Sequence, residues 1–390
     1  LAGMAGVPMP ARDEREDRRE EARRSLYDVM ELAAKYFEAA LAHNIGARAR
    51  GYLFERGVPA AMQTRFRLGF APDSRNGLKE HLAANGVGAQ EMIDAGVVHG
   101  EDIAVPYDRF RNRVMFPITD FRGRVIAFGG RAMSADVPAK YLNSPETELF
   151  HKRLTLYNGK DARQAARDGK PVIVVEGYLD VIAAVGAGFE GTVAPLGTAL
   201  TEDHVNMLLR MSDSPVLCFD GDAAGLRAAE RAAGIVMPLL KAGQTVRIAT
   251  LPEGQDPDDL IKAQGRQAFA AVIEQARPLS EMIWTLETGG MVPETPEARA
   301  ALEARLRERA NAIADHSVRR HYLQAFDERL AAFFSPRRGG FEGRRGQGRT
   351  APGRSGYPRS GRANPQQVIS DSLRNNRLLK PGLAVDASPR

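Results

Sequence analysis

Residues 171–251 alternate short apolar, β-branched runs with helical patterns, and that alternation leaves few folds open. Runs at 171–176, 191–196, 215–220 and 245–251 read as strands. Between them, 178–187, 201–211 and 223–241 carry helical spacing. Thr201 is placed to cap the second of these helices and Gly243 to end the third. Strands separated by helices of this length predict a parallel sheet with helices over both faces. Open sheets of that kind bind ligands beyond the carboxyl ends of their strands. Two acidic segments fall at those ends: Val174-Val175-Glu176-Gly177 and Asp220-Gly221-Asp222.

Residues two apart in an extended segment point to the same side, so Asp220 and Asp222 face one ion. Gly221 between them permits close backbone approach. Three carboxylates converging with Glu176 repel one another unless a hard cation sits between them. Mg2+ prefers oxygen ligands and commonly combines a few carboxylates with substrate phosphates. The pattern predicts a site for Mg2+ (or Mn2+) serving phosphoryl or nucleotidyl transfer, with Glu176, Asp220 and Asp222 as its chemistry. Each piece also has a plainer reading. A lone Glu after a strand is an ordinary exposed strand end, and D-x-D there is a turn whose second Asp caps a helix. Asp180, one helical turn after Glu176, reaches the same mouth. Asp256 and Asp258 follow the next strand, either as ligands of a second ion or as helix caps around Pro257.

Upstream, 11–24 is a dense mixed-charge run, a solvated helix start or a linker. From 26 to 41 the residues Leu26, Met30, Ala33, Phe37 and Leu41 recur at helical spacing, and shorter helices follow to about Gly96. Two β-prone runs, 113–118 and 124–128, flank Asp120-Phe121-Arg122-Gly123 and predict a hairpin. Around it lie Arg111, Arg113, Arg131, Lys140 and Lys152. Scattered cations are usually a solvated surface; beside a metal site they are what a triphosphate or nucleic-acid backbone requires. Downstream, 278–334 is helical, with Thr295-Pro296 as cap and first residue of one helix.

The chain has 390 residues and a net charge of +5, but the charge is concentrated. Residues 336–365 hold eight arginines against Glu342, which is +7 and leaves −2 for the rest. This Gly/Arg/Ser/Pro-rich stretch is expected to be disordered: a flexible linker, or else a non-specific grip on nucleic acid. Cys218, the single cysteine, excludes an internal disulfide and a cysteine-rich zinc site, which fits a cytoplasmic setting. His316 and His321, five apart in a helical stretch, are not expected to bind metal. No apolar run approaches the roughly 20 residues that span a bilayer, so no membrane association is expected. Residues 1–10 show no leader-peptide pattern, and the opening residue is Leu, which fits a fragment.

Strand–Glu–Gly followed by strand–Asp–Gly–Asp resembles the TOPRIM module of DnaG-type primases, topoisomerases, OLD-family nucleases and RecR-type repair proteins. In that module the Glu and the D-x-D pair bind Mg2+. The upstream segments R-V-M-F-P-I (113–118), G-G-R (129–131) and K-Y-L-N-S-P-E-T (140–147) resemble signatures of the bacterial DnaG-type primase polymerase domain. Thr64-Arg65-Phe66 to Pro72 resembles a further segment. The likeness covers about residues 26 to 335.

It implies an α/β fold: a mixed α+β N-terminal subdomain, a central TOPRIM parallel-sheet subdomain, a C-terminal helical bundle and a disordered basic tail. The corresponding boundaries are a charged linker remnant at 1–25, the basic N-terminal subdomain at 26–165, TOPRIM at 166–275 and helices at 276–335. The linker at 336–365 and the start of a truncated region at 366–390 follow.

It also implies Mg-dependent synthesis of RNA primers on single-stranded DNA from ribonucleoside triphosphates, at the replication fork in the nucleoid. Arg65, Arg111, Arg113, Arg131, Lys140 and Lys152 would hold template or nucleotide, and Glu176 would be a ligand or the general base. The family's zinc-ribbon domain, and the C-terminal domain that docks on the replicative helicase, have no counterpart in the sequence. The alternatives are a TOPRIM nuclease or topoisomerase, or a non-catalytic RecR-like binding module.

Overall fold

The computed structural model describes residues 14–100, 105–134, 138–197, 199–289 and 291–335. The Gly/Arg-rich linker and the final segment lie outside the described residues. The first helix, α1 (Glu14–Ala42), begins inside the mixed-charge run. Short helices follow as expected: α2 (Ala47–Glu55), α3 (Ala60–Arg65), α4 (Gly77–Ala84) and α5 (Ala89–Asp94), with strand β1 (Gly69–Ala71) between α3 and α4. A small antiparallel pair, β2 (Val98–His99) and β3 (Tyr107–Asp108), leads into the hairpin β4 (Arg113–Thr119) and β5 (Val125–Ala132), then β6 (Tyr141–Asn143). The hairpin turn is held by Asp120, whose Oδ1 accepts from the backbone N–H of Arg122 and Arg124, and Gly123 takes a φ of +86°.

Strands β1, β4, β5 and β6 form one antiparallel sheet. Its side chains alternate between two cores, as a pleat requires. Met115 and Phe128 face α1, where Phe37 meets Phe128 edge-on with ring centroids 5.2 Å apart. Val114, Phe116 and Ile118 face the other way, into a core shared with the central sheet.

The central sheet comprises β7 (Leu156–Tyr157), β8 (Ile173–Val174), β9 (Thr192–Pro195), β10 (Val216–Phe219), β11 (Arg247–Thr250) and β12 (Arg277–Pro278), in the order β12-β11-β10-β8-β9-β7. Its four middle strands are parallel, as the alternation predicts. The two edges differ: β7 and β12 run antiparallel. These two-residue strands come from outside the alternating stretch, so its periodicity carries no sign of them.

Helices α6 (Gly159–Arg167), α7 (Tyr178–Gly186), α8 (Glu202–Met211), α9 (Ala223–Val236) and α10 (Pro257–Glu274) complete this unit. Ile173, Val175, Val216 and Cys218 face α7 and α10, while Val172, Val174, Leu217 and Ile248 face α8 and α9. Thr201 caps α8 as expected, its side chain accepting from the N–H of His204. The helix expected over 223–241 stops at Val236 and continues as a 3-10 turn, Met237–Leu239. Pro238 explains the stop: it has no N–H to donate and its ring crowds the preceding turn. The chain ends its described part in α11 (Leu279–Thr288), α12 (Pro296–Asn311) and α13 (His316–Phe334), which pack Leu302, Leu306, Phe326 and Leu330 against the α9 side of the sheet. Among the described residues no helix is long and apolar enough to cross a membrane.

Candidate functional site

Parallel pairing brings the carboxyl ends of β8, β10 and β11 to one edge of the sheet, with Val174 opposite Leu217 and Phe219 opposite Thr250. Glu176 follows β8, Asp220 follows β10 directly, and the loop after β11 carries Asp256. Gly221 makes the last approach possible. A Cβ there would lie 2.0 Å from the carbonyl oxygen of Pro252, a main-chain atom that cannot swing away. Gly225 does the same one turn later, since its Cβ would lie 2.2 Å from the carbonyl oxygen of Asp220.

Two of the acids also cap helices. Asp222 Oδ1 accepts from the N–H of Gly225 at 2.7 Å, and Asp256 Oδ1 accepts from the N–H of Asp259 at 2.7 Å. Each cap occupies one carboxylate oxygen and leaves the other available to a cation. Asp180, in the first turn of α7, is buried, and its Oδ1 accepts from the N–H of Asp258 at 3.3 Å. Asp256, Asp258 and Asp259 each offer an oxygen within 4.8 Å of the others.

The charges of this group raise one another's pKa. Burial, then the charges of Asp256 and Asp220, push Asp180 up to about 8. Burial, then Glu176, Asp256 and Asp222, push Asp220 up to about 7. Asp258 is pushed up to about 6 by burial and by Asp256, against the pull of Arg56. Glu176 stands at the open mouth, yet the surrounding protein and then Asp222 raise its pKa, against Arg231. Asp220 Oδ1 is buried and, among the described residues, has no hydrogen-bond partner. A buried acceptor without a donor is costly, and carboxylates this crowded lack the counter-charge that a divalent cation supplies. The donor set is all oxygen, which suits Mg2+ or Mn2+.

Because Asp180, Asp220 and Asp258 have folded pKa values above the ordinary value near 4, the folded state holds their protons more tightly than the unfolded state. Ionising them therefore costs stability between about pH 4 and pH 8. Protein stripped with EDTA is expected to melt at falling temperature as pH rises through that window. Saturating Mn2+ is expected to restore the melting temperature, most at pH 8. A metal-free melting temperature that climbs from pH 5 to pH 8 in scanning calorimetry contradicts this.

Tyr178 adds specific contacts to the core that the hairpin sheet shares with the central sheet. Tyr178, the first of α7, stacks on Phe116 with centroids 4.9 Å apart and donates its hydroxyl proton to Asn143 Oδ1 at 2.8 Å. Gly129, opposite Phe116 in the hairpin, leaves the room this requires, since a Cβ there would lie 2.5 Å from the Tyr178 ring.

The six predicted cations have different surroundings. Arg131 shares an aromatic partner, Tyr52, with Arg56, which pairs with Asp258. The Arg131 guanidinium lies 4.0 Å over the Tyr52 ring, and it acts on Tyr141 together with Arg56 and Asp180. Tyr141 itself is pushed up to about 12, chiefly by burial. Arg113 differs from expectation. It is 8% exposed and donates to the carbonyls of Gly130, Ala139 and Lys140, so it ties β5 to the chain entering β6 rather than presenting a free guanidinium. Arg111 is exposed, with its guanidinium 5.6 Å from the Tyr107 ring. Arg65 sits 3.6 Å from Asp161, Lys140 is exposed, and Lys152 is half-buried with its N–H on Glu146. Sequence reasoning missed Arg56, Tyr52, Arg231 and Asp259. Arg56 and Tyr52 lie in a region read only as short helices, with no local pattern to mark them. Asp259 adjoins Asp258 in the acidic run and was within reach of the same argument.

A carboxylate cluster at the ends of parallel strands, bordered by arginines, is the arrangement of TOPRIM nucleic-acid enzymes. Residues 36–163 match the family model for the N-terminal domain of the DNA primase catalytic core, and 173–261 match a Toprim-like model. The DNA primase of Pseudomonas aeruginosa is 45% identical over 309 residues, covering 77% of this chain and 46% of that protein. The Escherichia coli K12 DNA primase is 41% identical over 280 residues, covering 72% and 48%. The chain spans about half the length of these relatives. Among solved structures, a DnaG primase catalytic domain bound to ssDNA superposes with a TM-score of 0.73 at 38% identity, covering 80% of this chain and 98% of the other. A DNA primase domain from Pseudomonas aeruginosa superposes with a TM-score of 0.73 at 43% identity, covering 79% and 95%. The chain belongs to the bacterial DnaG-type DNA primase family and corresponds to its catalytic core.

Proposed function

We propose that the chain is the polymerase core of a DNA primase, making short RNA primers on single-stranded DNA from ribonucleoside triphosphates. The observation that carries this reading is the crowded carboxylate group, with Arg56, Tyr52 and Tyr141 beside it, in a chain of primase descent. Glu176, Asp220 and Asp222 would hold Mg2+ or Mn2+, with Asp180, Asp256, Asp258 and Asp259 available to a further ion. When bound, the cation lowers the pKa of the attacking hydroxyl and stabilises charge on the attacking and leaving oxygens.

The chain's own residues orient the reactants. Arg131 and Lys140, with Arg111, Arg65 and Lys152 along the same border, hold template and triphosphate by charge, so affinity falls as salt rises. Arg113 keeps that border in shape from beneath. The primer 3′-hydroxyl attacks the α-phosphate, the new phosphodiester bond forms, and pyrophosphate leaves. Glu176 is a ligand or accepts the hydroxyl proton; its raised pKa suits proton acceptance. The setting would be the cytoplasm at the replication fork. In full-length form a replicative helicase would be the partner, engaged through parts of the family beyond this chain's span.

Incubating the chain with single-stranded DNA, labelled ribonucleotides and Mg2+ tests the reading. Short RNA products are expected. DNA cleavage would point instead to a nuclease, and a gel shift without product to a binding module.

A further inference from the structure

We propose that Arg56, at the end of α2, is a positioning residue for the metal centre: it holds the Asp258 carboxylate in place and ties the N-terminal basic region to the acidic cluster. The inference rests on the metal-site reading above.

Arg56 Nη1 donates to Asp258 Oδ2 at 3.1 Å and lies 4.0 Å from Asp259 Oδ1. The Asp258 side chain is 5% exposed, so this contact is sheltered from water on the acidic side. The two residues are 202 apart in sequence, and one guanidinium links the N-terminal region to the helix that carries the acids. The same guanidinium lies 6.0 Å over the Tyr52 ring, which also bears Arg131. A continuous set of contacts thus runs from Asp258 through Arg56 and Tyr52 to Arg131.

The surroundings give this polar contact its weight. Beside it opens a surface cleft of about 380 Å3 whose lining includes Arg56, Asp258, Val58, Met62, Ile182 and Ile261. Leu260, Phe269 and Ile273 pack α10 onto α7, while the cleft separates α2 and α3 from that pair and the Arg56–Asp258 contact bridges it. Among the described residues the other direct polar tie between α2 and α10 is from Lys262 Nζ to the carbonyl oxygen of Glu55.

An arginine has no lone pair to give a cation, so Arg56 acts through Asp258. Asp258 accepts from Arg56 on Oδ2 and donates its N–H to Asp180, and one of its carboxylate oxygens lies within 4.8 Å of oxygens of Asp256 and Asp259. Fixing a carboxylate from its outer side is typically worth about 10–100-fold in metal affinity. Arg56 also repels a cation. The acids outnumber it, and losing it would free Asp258 to turn away and unfasten α10 from α2.

The test is Mn2+ titration of the whole chain, without DNA or nucleotide, followed by the loss of free-ion electron paramagnetic resonance signal. Arg56→Ala is expected to raise the half-saturating Mn2+ concentration about tenfold with melting retained as a single transition. Arg56→Lys is expected to recover part of the loss, because one ammonium reaches one oxygen without the planar fork. In an Asp258→Asn background, Arg56→Ala should add little, since both act through one contact. Where Arg56→Ala fails to fold, Arg56→Lys carries the test, with weakened Mn2+ binding expected. Wild-type binding matched or exceeded by Arg56→Ala, or by folded Arg56→Lys in its place, overturns the positioning role alone. A wild-type chain that takes up no Mn2+ overturns the metal-site reading and this proposal with it.

Discussion

Asp220→Ala is expected to abolish primer synthesis while leaving single-stranded DNA binding near the wild-type level. Asp220 is the acid common to both halves of the cluster. It feels Glu176 and Asp222 on one side and Asp256 on the other, and it in turn raises Asp180. Its Oδ1 is buried without a donor among the described residues, which makes it the oxygen most in need of a cation. Loss of one preorganised electrostatic group costs roughly 100- to 1000-fold in turnover, and removal of a metal ligand should reach or exceed the upper end. Template affinity should hold because the cations of the border are untouched and a negative charge has been removed. Parallel primer-synthesis and filter-binding assays read both quantities. Retained synthesis would show that Asp220 does not serve the chemistry, and lost DNA binding would show that the residue serves the fold instead.

Gly221→Ala is expected to have the next largest effect, although it adds a single methyl group and removes no functional atom. That methyl carbon would sit 2.0 Å from the carbonyl oxygen of Pro252, with further main-chain atoms at 2.4 and 2.5 Å. Neither partner is a flexible side-chain end, so the Asp220–Asp222 turn or the loop bearing Asp256 must move. A displacement of about 1 Å in a reacting constellation costs on the order of 100-fold in rate. The expected result is about a hundredfold loss of synthesis together with weaker Mn2+ binding. Wild-type activity in the folded variant would mean that the two loops need not meet as closely as they do here.

The parallel core of the central sheet and the placement of Glu176, Asp220 and Asp222 were legible because both are local. Continuous apolar, β-branched runs such as Ile173 to Val175 declare a buried strand, and the acids fall where the runs end. The hairpin was legible from Asp120 and Gly123 for the same reason. The antiparallel edges β7 and β12 were not, because a two-residue strand has no period to detect. Arg113 sits among exposed cations in sequence but turns inward to carbonyls contributed from 17 to 27 residues away. Arg56 meets Asp258 across most of the fold. Such contacts are decided by tertiary packing, and composition near Arg56 carries no mark of them. The capping reading of Asp222 and Asp256 and the cation reading had looked like alternatives. They are compatible because a carboxylate has two oxygens and a cap occupies one.

The central claim is that carboxylates from separate strand ends form one divalent-cation pocket at the edge of the arginine border. Crystals of the chain soaked in Mn2+ and measured for anomalous scattering test it most directly. A peak bounded by oxygens of Glu176, Asp220 and Asp222 is the expected result. A peak confined to other residues, or none at saturating Mn2+, would contradict it.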